Sequence, residues 1–259
     1  MDLSLGERVF LVTAASGGLG RATATALVEE GARVVLVARR AEVLAQATDE
    51  LNAAAADGSV RAVALTADLA AETTAPDACA LALETFGRLD GALVSAGGPP
   101  AGTVRDLTSA QWRDAFESVF LPALRVTEAV VAHGTAEDLA VGWVLSTSVK
   151  SPIAGLAASN GLRPGLGMLV KQLADELGPA GTRVFGLMPG RVMTERVQHL
   201  DALGGDPVAA AARAEAAIPL RRSGEPAEFG RVAAFLLSPA ASYLTGCVIP
   251  VEGGALRSL

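Results

Sequence analysis

Seven short apolar runs, separated by segments of helical period, set the strongest limit on what this chain can fold into. They are RVFLVT (Arg8 to Thr13), RVVLVA (Arg33 to Ala38), VRAVALTAD (Val60 to Asp68), LDGALVSA (Leu89 to Ala96), VGWVLSTS (Val141 to Ser148), TRVFGLMP (Thr182 to Pro189) and GCVIPVEGG (Gly246 to Gly254). Between them lie stretches such as ATATALVEE, AEVLAQATDELNAAAA and ACALALETF, whose apolar residues recur at helical spacing. A strand that is apolar throughout is buried on both faces, and a parallel sheet covered by helices provides that environment. Right-handed crossovers then place the helices in two layers. The expected fold is α/β, a doubly wound parallel sheet of about seven strands, in a single domain over residues 1–259. The longest irregular stretch, Val192 to Leu220, follows the sixth strand and is expected to lie over the carboxyl edge of the sheet as a lid.

Composition narrows the partners. With 51% hydrophobic and 19% charged residues among 259, the chain can bury a large core, and its formal charge of -7 offers no basic face to nucleic acid or anionic membrane. No apolar run approaches the ~18 residues of a membrane span and no signal peptide is evident, so a cytoplasmic location is the default expectation. Cys79 and Cys247 lie far apart without metal-ligand spacing and are expected to be buried, reduced thiols. No metal site is expected. The only lysines are Lys150 and Lys171, so any role for a titratable amine falls on very few residues.

After the first apolar run comes TAASGGLGRATATALVEEG, Thr13 to Gly31. Gly17, Gly18 and Gly20 stand where a strand turns into a helix, which lets the backbone approach a pyrophosphate at the positive end of that helix. The turn, the acidic Asp68, the segment SAGG (Ser95 to Gly98), the segment PGRVMT (Pro189 to Thr194) and the closing PLRRSGEPAEFGRVAAFLLSPAASYLTGCVIPVEGG together resemble the short-chain dehydrogenase/reductase family over essentially the whole chain. The resemblance implies a Rossmann-like fold. It also implies that a dinucleotide is held by Thr13, Ala15, Ser16, Gly18, Leu19 and Gly20, by Asp68 and Leu69 at the adenine, by Ser95, Ala96 and Gly97, and by Pro189, Gly190, Val192 and Thr194. Ala14 replaces the family's first glycine, which is tolerable if that residue keeps a negative φ. The second run ends VARRAE, where Ala38 takes the position of the acidic residue that holds the ribose of NAD. Arg39 and Arg40 follow, so NADP(H) is favoured over NAD(H).

In this family a Ser, a Tyr and a Lys carry the chemistry and an Asn on the fourth helix holds a relay water. Lysine and the nicotinamide charge lower the tyrosine pKa, so that the phenol exchanges a proton with substrate oxygen. Laid on this sequence, the serine falls at Ser148, the tyrosine at Ser159, the lysine at Arg163 and the asparagine near Val119. The only tyrosine, Tyr243, reads as a packing residue before the last strand. The pattern SNGLR resembles a divergent, 3-oxoacyl-acyl-carrier-protein reductase-like subgroup with S-N-x-x-R in place of Y-x-x-x-K. Ser159 hardly ionises near neutral pH, whereas Arg163, also a cofactor contact on this reading, keeps a positive field but not a tuned proton. Candidate proton sources are Lys150 beside the cleft, His199 in the lid, and bulk water or a water held by Ser148, Ser159 and Asn160. His133 is expected at the far edge of the sheet.

The leading functional expectation is an NADP(H)-dependent oxidoreductase that reduces a carbonyl, or oxidises an alcohol, by hydride transfer without the tyrosine. The alternative is a catalytically silent NADP-binding homologue acting as sensor or partner subunit, since fold does not imply reaction; nothing favours a lyase or isomerase. The family resemblance implies a homodimer or homotetramer. Small residues Ala157, Ala158, Gly161, Gly165 and Gly167 would allow close helix packing there. The substrate is a small molecule facing an apolar wall of Val192, Met193, Val197 and Leu203, with Arg191 and Arg196 available for an anionic group.

Overall fold

The computed structural model describes residues 2–55, 58–202 and 205–258. All seven strands join one parallel sheet: β1 (Val9–Thr13), β2 (Arg33–Ala38), β3 (Ala62–Thr66), β4 (Gly91–Val94), β5 (Ala140–Val144), β6 (Arg183–Pro189) and β7 (Val248–Val251), in the order β3-β2-β1-β4-β5-β6-β7. Four of the apolar runs extend past the strands they contain. The third, fourth, fifth and seventh continue beyond Thr66, Val94, Val144 and Val251, where the regular ladder ends; Ala67 and Leu145 each still donate one backbone bond to the neighbouring strand, to Ala38 O and Leu187 O. Those ends become the loops of the carboxyl edge.

Alternate strand residues feed two cores. Phe10, Val12, Val34 and Leu36 pack under α1 (Gly18–Glu29), α2 (Ala41–Ala53) and α9 (Pro226–Leu237) with Leu27, Leu44 and Phe229. Val9, Leu11, Val35 and Val37 face the other way, toward Cys79 of α3 (Thr74–Phe86), Val126 and Val130 of α5 (Leu121–His133), and Leu166 and Val170 of α6 (Ala157–Leu177). The period of two along a pleated strand thus explains why these strands are apolar on both faces from Val9 to Val12 and from Val34 to Ala38. Cys79 is buried and Cys247 half-buried, and burial pushes both thiols up, Cys79 to about 11.

The stretch through Trp112 does not form one helix. α4 (Ser109–Ala115) passes into a π-turn at Phe116–Phe120 before α5, whose first turn carries Pro122. Proline has no N–H for the carbonyl four residues back, and the wider turn, closed by Leu121 N–H to Phe116 O, absorbs that break. Val119 is buried there. The small residues of α6 meet neighbours in the same chain: a Cβ on Gly161 would lie 2.9 Å from Trp112, one on Gly165 3.2 Å from Phe120, and one on Gly167 2.8 Å from Val149. Tyr243, read as a packing residue, is instead fully exposed on the turn that follows Ala241.

The stretch after β6 folds into α7 (Glu195–Ala202) and α8 (Pro207–Ala217) above the carboxyl edge. Leu203 falls outside the described residues. Among the described residues no helix is long and apolar enough to cross a membrane.

Candidate active site

The sheet order reverses direction between β1 and β4, which opens a crevice at the strands' carboxyl ends where α/β folds bind ligands. A cleft of about 1120 Å³ lies there. Its side nearest the glycine turn is lined by Ser16, Gly18 and Leu19, by Arg39 and Arg40, by Asp68 and Leu69, by Ser95, Ala96 and Gly97, and by Pro189, Gly190, Val192 and Thr194. These expected contacts, drawn from five separate segments, come together.

Thr13, Ala15 and Gly20 do not reach the cleft and instead shape the turn. The Thr13 hydroxyl donates to Ser95 O at 2.6 Å and accepts from Ser95 N–H at 2.8 Å, tying β1 to the loop after β4. Ala15 is wholly buried, with its N–H on Val37 O. Ala14 adopts φ +50°, not the negative value on which the alanine was rationalised, at a cost of about 1–2 kcal/mol for a residue with a Cβ. A Cβ on Gly20 would lie 2.7 Å from Thr13 O and 2.8 Å from Ala14 O, so helix and turn meet backbone to backbone. Gly20→Ala is therefore expected to displace the turn and weaken NADPH binding at least tenfold, since overpacking costs about 1–3 kcal/mol; fluorescence titration measures it, and unchanged affinity would show that the turn yields.

The residues present fit a dinucleotide. Gly17 caps α1 without any side-chain bond, leaving the first N–H groups of that helix to an anion, and Gly18 holds φ +54°. Arg40 reaches over the turn, Nε and Nη2 donating to Ser16 Oγ at 3.4 and 3.3 Å. Arg39 Nη1 stands 3.8 Å from Asp68 Oδ2.

At the cleft floor α6 presents Ser159 and Arg163 together. Both are buried, and Arg163 Nη1 donates to Val144 O at the end of β5. Among the described residues no carboxylate pairs with Arg163; burial pushes its guanidinium down to about 10, which still leaves it charged near neutral pH. Ser148 is buried behind Ser159, their hydroxyls 3.1 Å apart, and does not line the cleft. Ser146 and Thr147 line it instead, and Ser146 Oγ accepts Ser148 N–H at 3.1 Å. Ser146 escaped sequence reasoning because LSTS offers three hydroxyls in four residues. Only the end of β5 at Val144 and the 3-10 turn at Thr147–Val149 decide which faces the cleft.

The other proton candidates stand elsewhere. Lys150 is exposed and His199 points to solvent, and neither lines the cleft. His133 is exposed at the end of α5. Asn160 bonds the loop before α6 at both ends of its amide, Nδ2 to Ile153 O at 2.8 Å and Oδ1 from Ile153 N–H at 2.9 Å, so it clamps that loop, and it does not line the cleft. Arg191, a candidate for an anionic group, is bidentate to Asp201 at 2.9 and 2.5 Å and bonded to Ser223, a pairing that raises the arginine's pKa and lowers the carboxylate's. Arg196 lines the cleft and donates to Pro99 O at 2.8 Å. Val192 and Val197 supply apolar wall with Leu156, Leu200 and Ile218, whereas Met193 faces a neighbouring depression.

A family model described as enoyl-(acyl carrier protein) reductase matches residues 13–255, nearly the whole chain. This chain belongs to the short-chain dehydrogenase/reductase family. It is an oxidoreductase of that family by sequence, with relatives named as reductases and dehydrogenases. It is 33% identical over 260 residues to the A-factor type gamma-butyrolactone 1'-reductase (1S-forming) of Streptomyces virginiae, covering 96% of both chains. Among solved structures, L-sorbose reductase from Gluconobacter frateurii, complexed with NADPH and L-sorbose, superposes with a TM-score of 0.93 at 26% identity over 100% of both chains. An NADPH-bound short chain oxidoreductase from Pseudomonas aeruginosa PAO1, described as containing an atypical catalytic center, superposes with a TM-score of 0.90 at 29% identity over 98% of both.

Proposed function

We propose that this short-chain reductase transfers hydride between NADP(H) and a carbonyl or alcohol substrate at a site where no phenol donates the proton. The observation that carries this reading is that Ser159 and a buried Arg163, with no described carboxylate paired to it, stand on the floor of a cleft that also holds the glycine turn, Arg39 and Arg40. Arg39 and Arg40 are the groups suited to a 2'-phosphate, and Ser16 adds a hydroxyl beside Arg40. The bound cofactor supplies the hydride. Ser146 and Ser159 present hydroxyls to the substrate oxygen, and Arg163 places a positive charge where negative charge develops on that oxygen, inside a poorly solvated floor that strengthens the effect. An alkanol does not ionise near neutral pH, so Ser159 passes a proton rather than being its source. The open cleft admits the water that supplies it. The apolar wall of Val197, Leu200 and Ile218 suits a substrate with an aliphatic or ring body.

Titration of the purified protein with NADPH and NADH by fluorescence, followed by a panel of ketones, diketones and 3-oxoacyl thioesters, tests this. NADPH is expected to bind at least tenfold more tightly than NADH, with substrate-dependent oxidation about 10²- to 10⁴-fold slower than a site with a general acid would give. Tight NADPH binding with no oxidation of any kind would replace this reading with that of a silent cofactor-binding homologue.

A further inference from the structure

The first residues of the lid cross the cofactor cleft from bank to bank. The methyl of Thr194 lies 3.6 Å from where a Cβ of Gly18 would stand, Glu195 Oε2 accepts from Arg40 Nη1 at 3.3 Å, and Arg196 Nη2 donates to Pro99 O at 2.8 Å on the opposite side. A Cβ on Gly17 would meet both Arg40 Nη2 at 3.2 Å and Glu195 Oε1 at 3.9 Å, so the Arg40–Glu195 pair closes directly over the glycine turn. The cation best placed for a 2'-phosphate is thus already held by a carboxylate of the lid. Its neighbour Arg39 stands near Asp68, and the described carboxylates at this end of the cleft match its two arginines in charge.

We propose that Glu195 is a cofactor-selectivity residue, an internal competitor that occupies Arg40 until a 2'-phosphate displaces it. The inference rests on the NADP(H) reading of Arg39 and Arg40. A phosphomonoester carries about -1.5 to -2 at neutral pH and brings three acceptor oxygens, so it outcompetes a single carboxylate for the guanidinium and the Ser16 hydroxyl. A bare ribose hydroxyl brings neither charge, leaves the pair intact, and gains nothing from the exchange. Glu195 therefore lowers the affinity for the phosphorylated cofactor selectively and ties the start of α7 to the cofactor that is bound. Because both side chains are half exposed or more, the competition is modest and sensitive to salt.

Calorimetric titration with adenosine 2',5'-bisphosphate and adenosine 5'-monophosphate, on the wild type, Glu195→Gln and Arg40→Ala, tests it without any turnover. Glu195→Gln should bind the bisphosphate about three- to fivefold more tightly at low salt, the equivalent of an exposed pair, with the monophosphate unchanged and the gain fading at high salt. If the wild type prefers the bisphosphate, Arg40→Ala removes that preference, and Glu195→Gln nevertheless leaves it unchanged or shifts both ligands alike, the competitor role is overturned while the cofactor reading stands. If the wild type shows no preference between the two ligands and Arg40→Ala changes nothing, the cofactor reading fails and the competitor role falls with it.

Discussion

Arg163→Met is expected to stabilise the fold while cutting turnover by about 10²- to 10³-fold. The guanidinium is buried, it donates to the neutral Val144 carbonyl, and no described carboxylate offsets its charge. With burial holding its pKa down at about 10, below that of a free arginine, the unfolded chain binds the proton more tightly. Stability therefore rises with pH from about 10 up to the free arginine's own pKa, and at every lower pH the folded state carries the full desolvation cost, on the order of 3 kcal/mol. Methionine fills similar space without a charge, and replacing a buried ion by an apolar side chain is commonly neutral or stabilising by about 1–4 kcal/mol. The same substitution removes the positive charge facing the substrate oxygen, a loss comparable to deleting one oxyanion donor, about 3–4 kcal/mol of transition-state stabilisation. Urea unfolding and single-turnover NADPH oxidation read the two effects separately. Arg163→Lys, which keeps the charge, should recover part of the rate. A variant that loses stability and activity in step would mean that Arg163 braces β5 and has no electrostatic role.

Asp90→Ala, at the opposite edge of the sheet, is expected to lower stability by about 3 kcal/mol, roughly 6–12 °C in Tm for a chain of this size. Asp90 is completely buried just before β4. One oxygen accepts from Arg8 at 3.2 Å and Arg88 at 2.6 Å, the other from Val9 N–H at 2.9 Å and Arg88 Nε at 2.7 Å. Alanine leaves the Val9 N–H without its partner at the start of β1 and takes the carboxylate from Arg88, while the mostly buried Arg8 keeps Asp138 at 3.0 and 2.8 Å. Asp90→Asn should recover part of the loss through Val9. Because the cluster lies at the amino edge of the sheet, NADPH affinity measured well below the melting temperature should be unchanged; an affinity that drops in parallel would show that the two edges are coupled.

The sequence carried the fold because a buried parallel sheet demands strands with a continuously apolar interior, and Val34 to Ala38 or Val184 to Pro189 satisfy that demand without reference to anything distant. It also carried the cradle. A strand running into SGGLG and then a helix builds its anion site from local backbone, and the turn formed where the glycines stand. Arg39 and Arg40 line the cleft for the same local reason, since both sit at the end of β2.

What the tertiary structure alone decided lies between segments. LSTS does not say that Ser146 faces the cleft while Ser148 turns to Ser159, because that choice depends on where β5 loses its neighbour and on a 3-10 turn packed against α6. Lys150 and His199 read as candidates because sequence distance to a site says nothing about direction, and both point to water. Asn160 looked free until Ile153 claimed its amide from seven residues away. The pairing of Arg40 with Glu195, 155 positions apart, was invisible for the most general reason. Local sequence fixes what a backbone can do within a turn or a strand, whereas the partner of a long charged side chain is set by which remote segment the sheet order brings beside it.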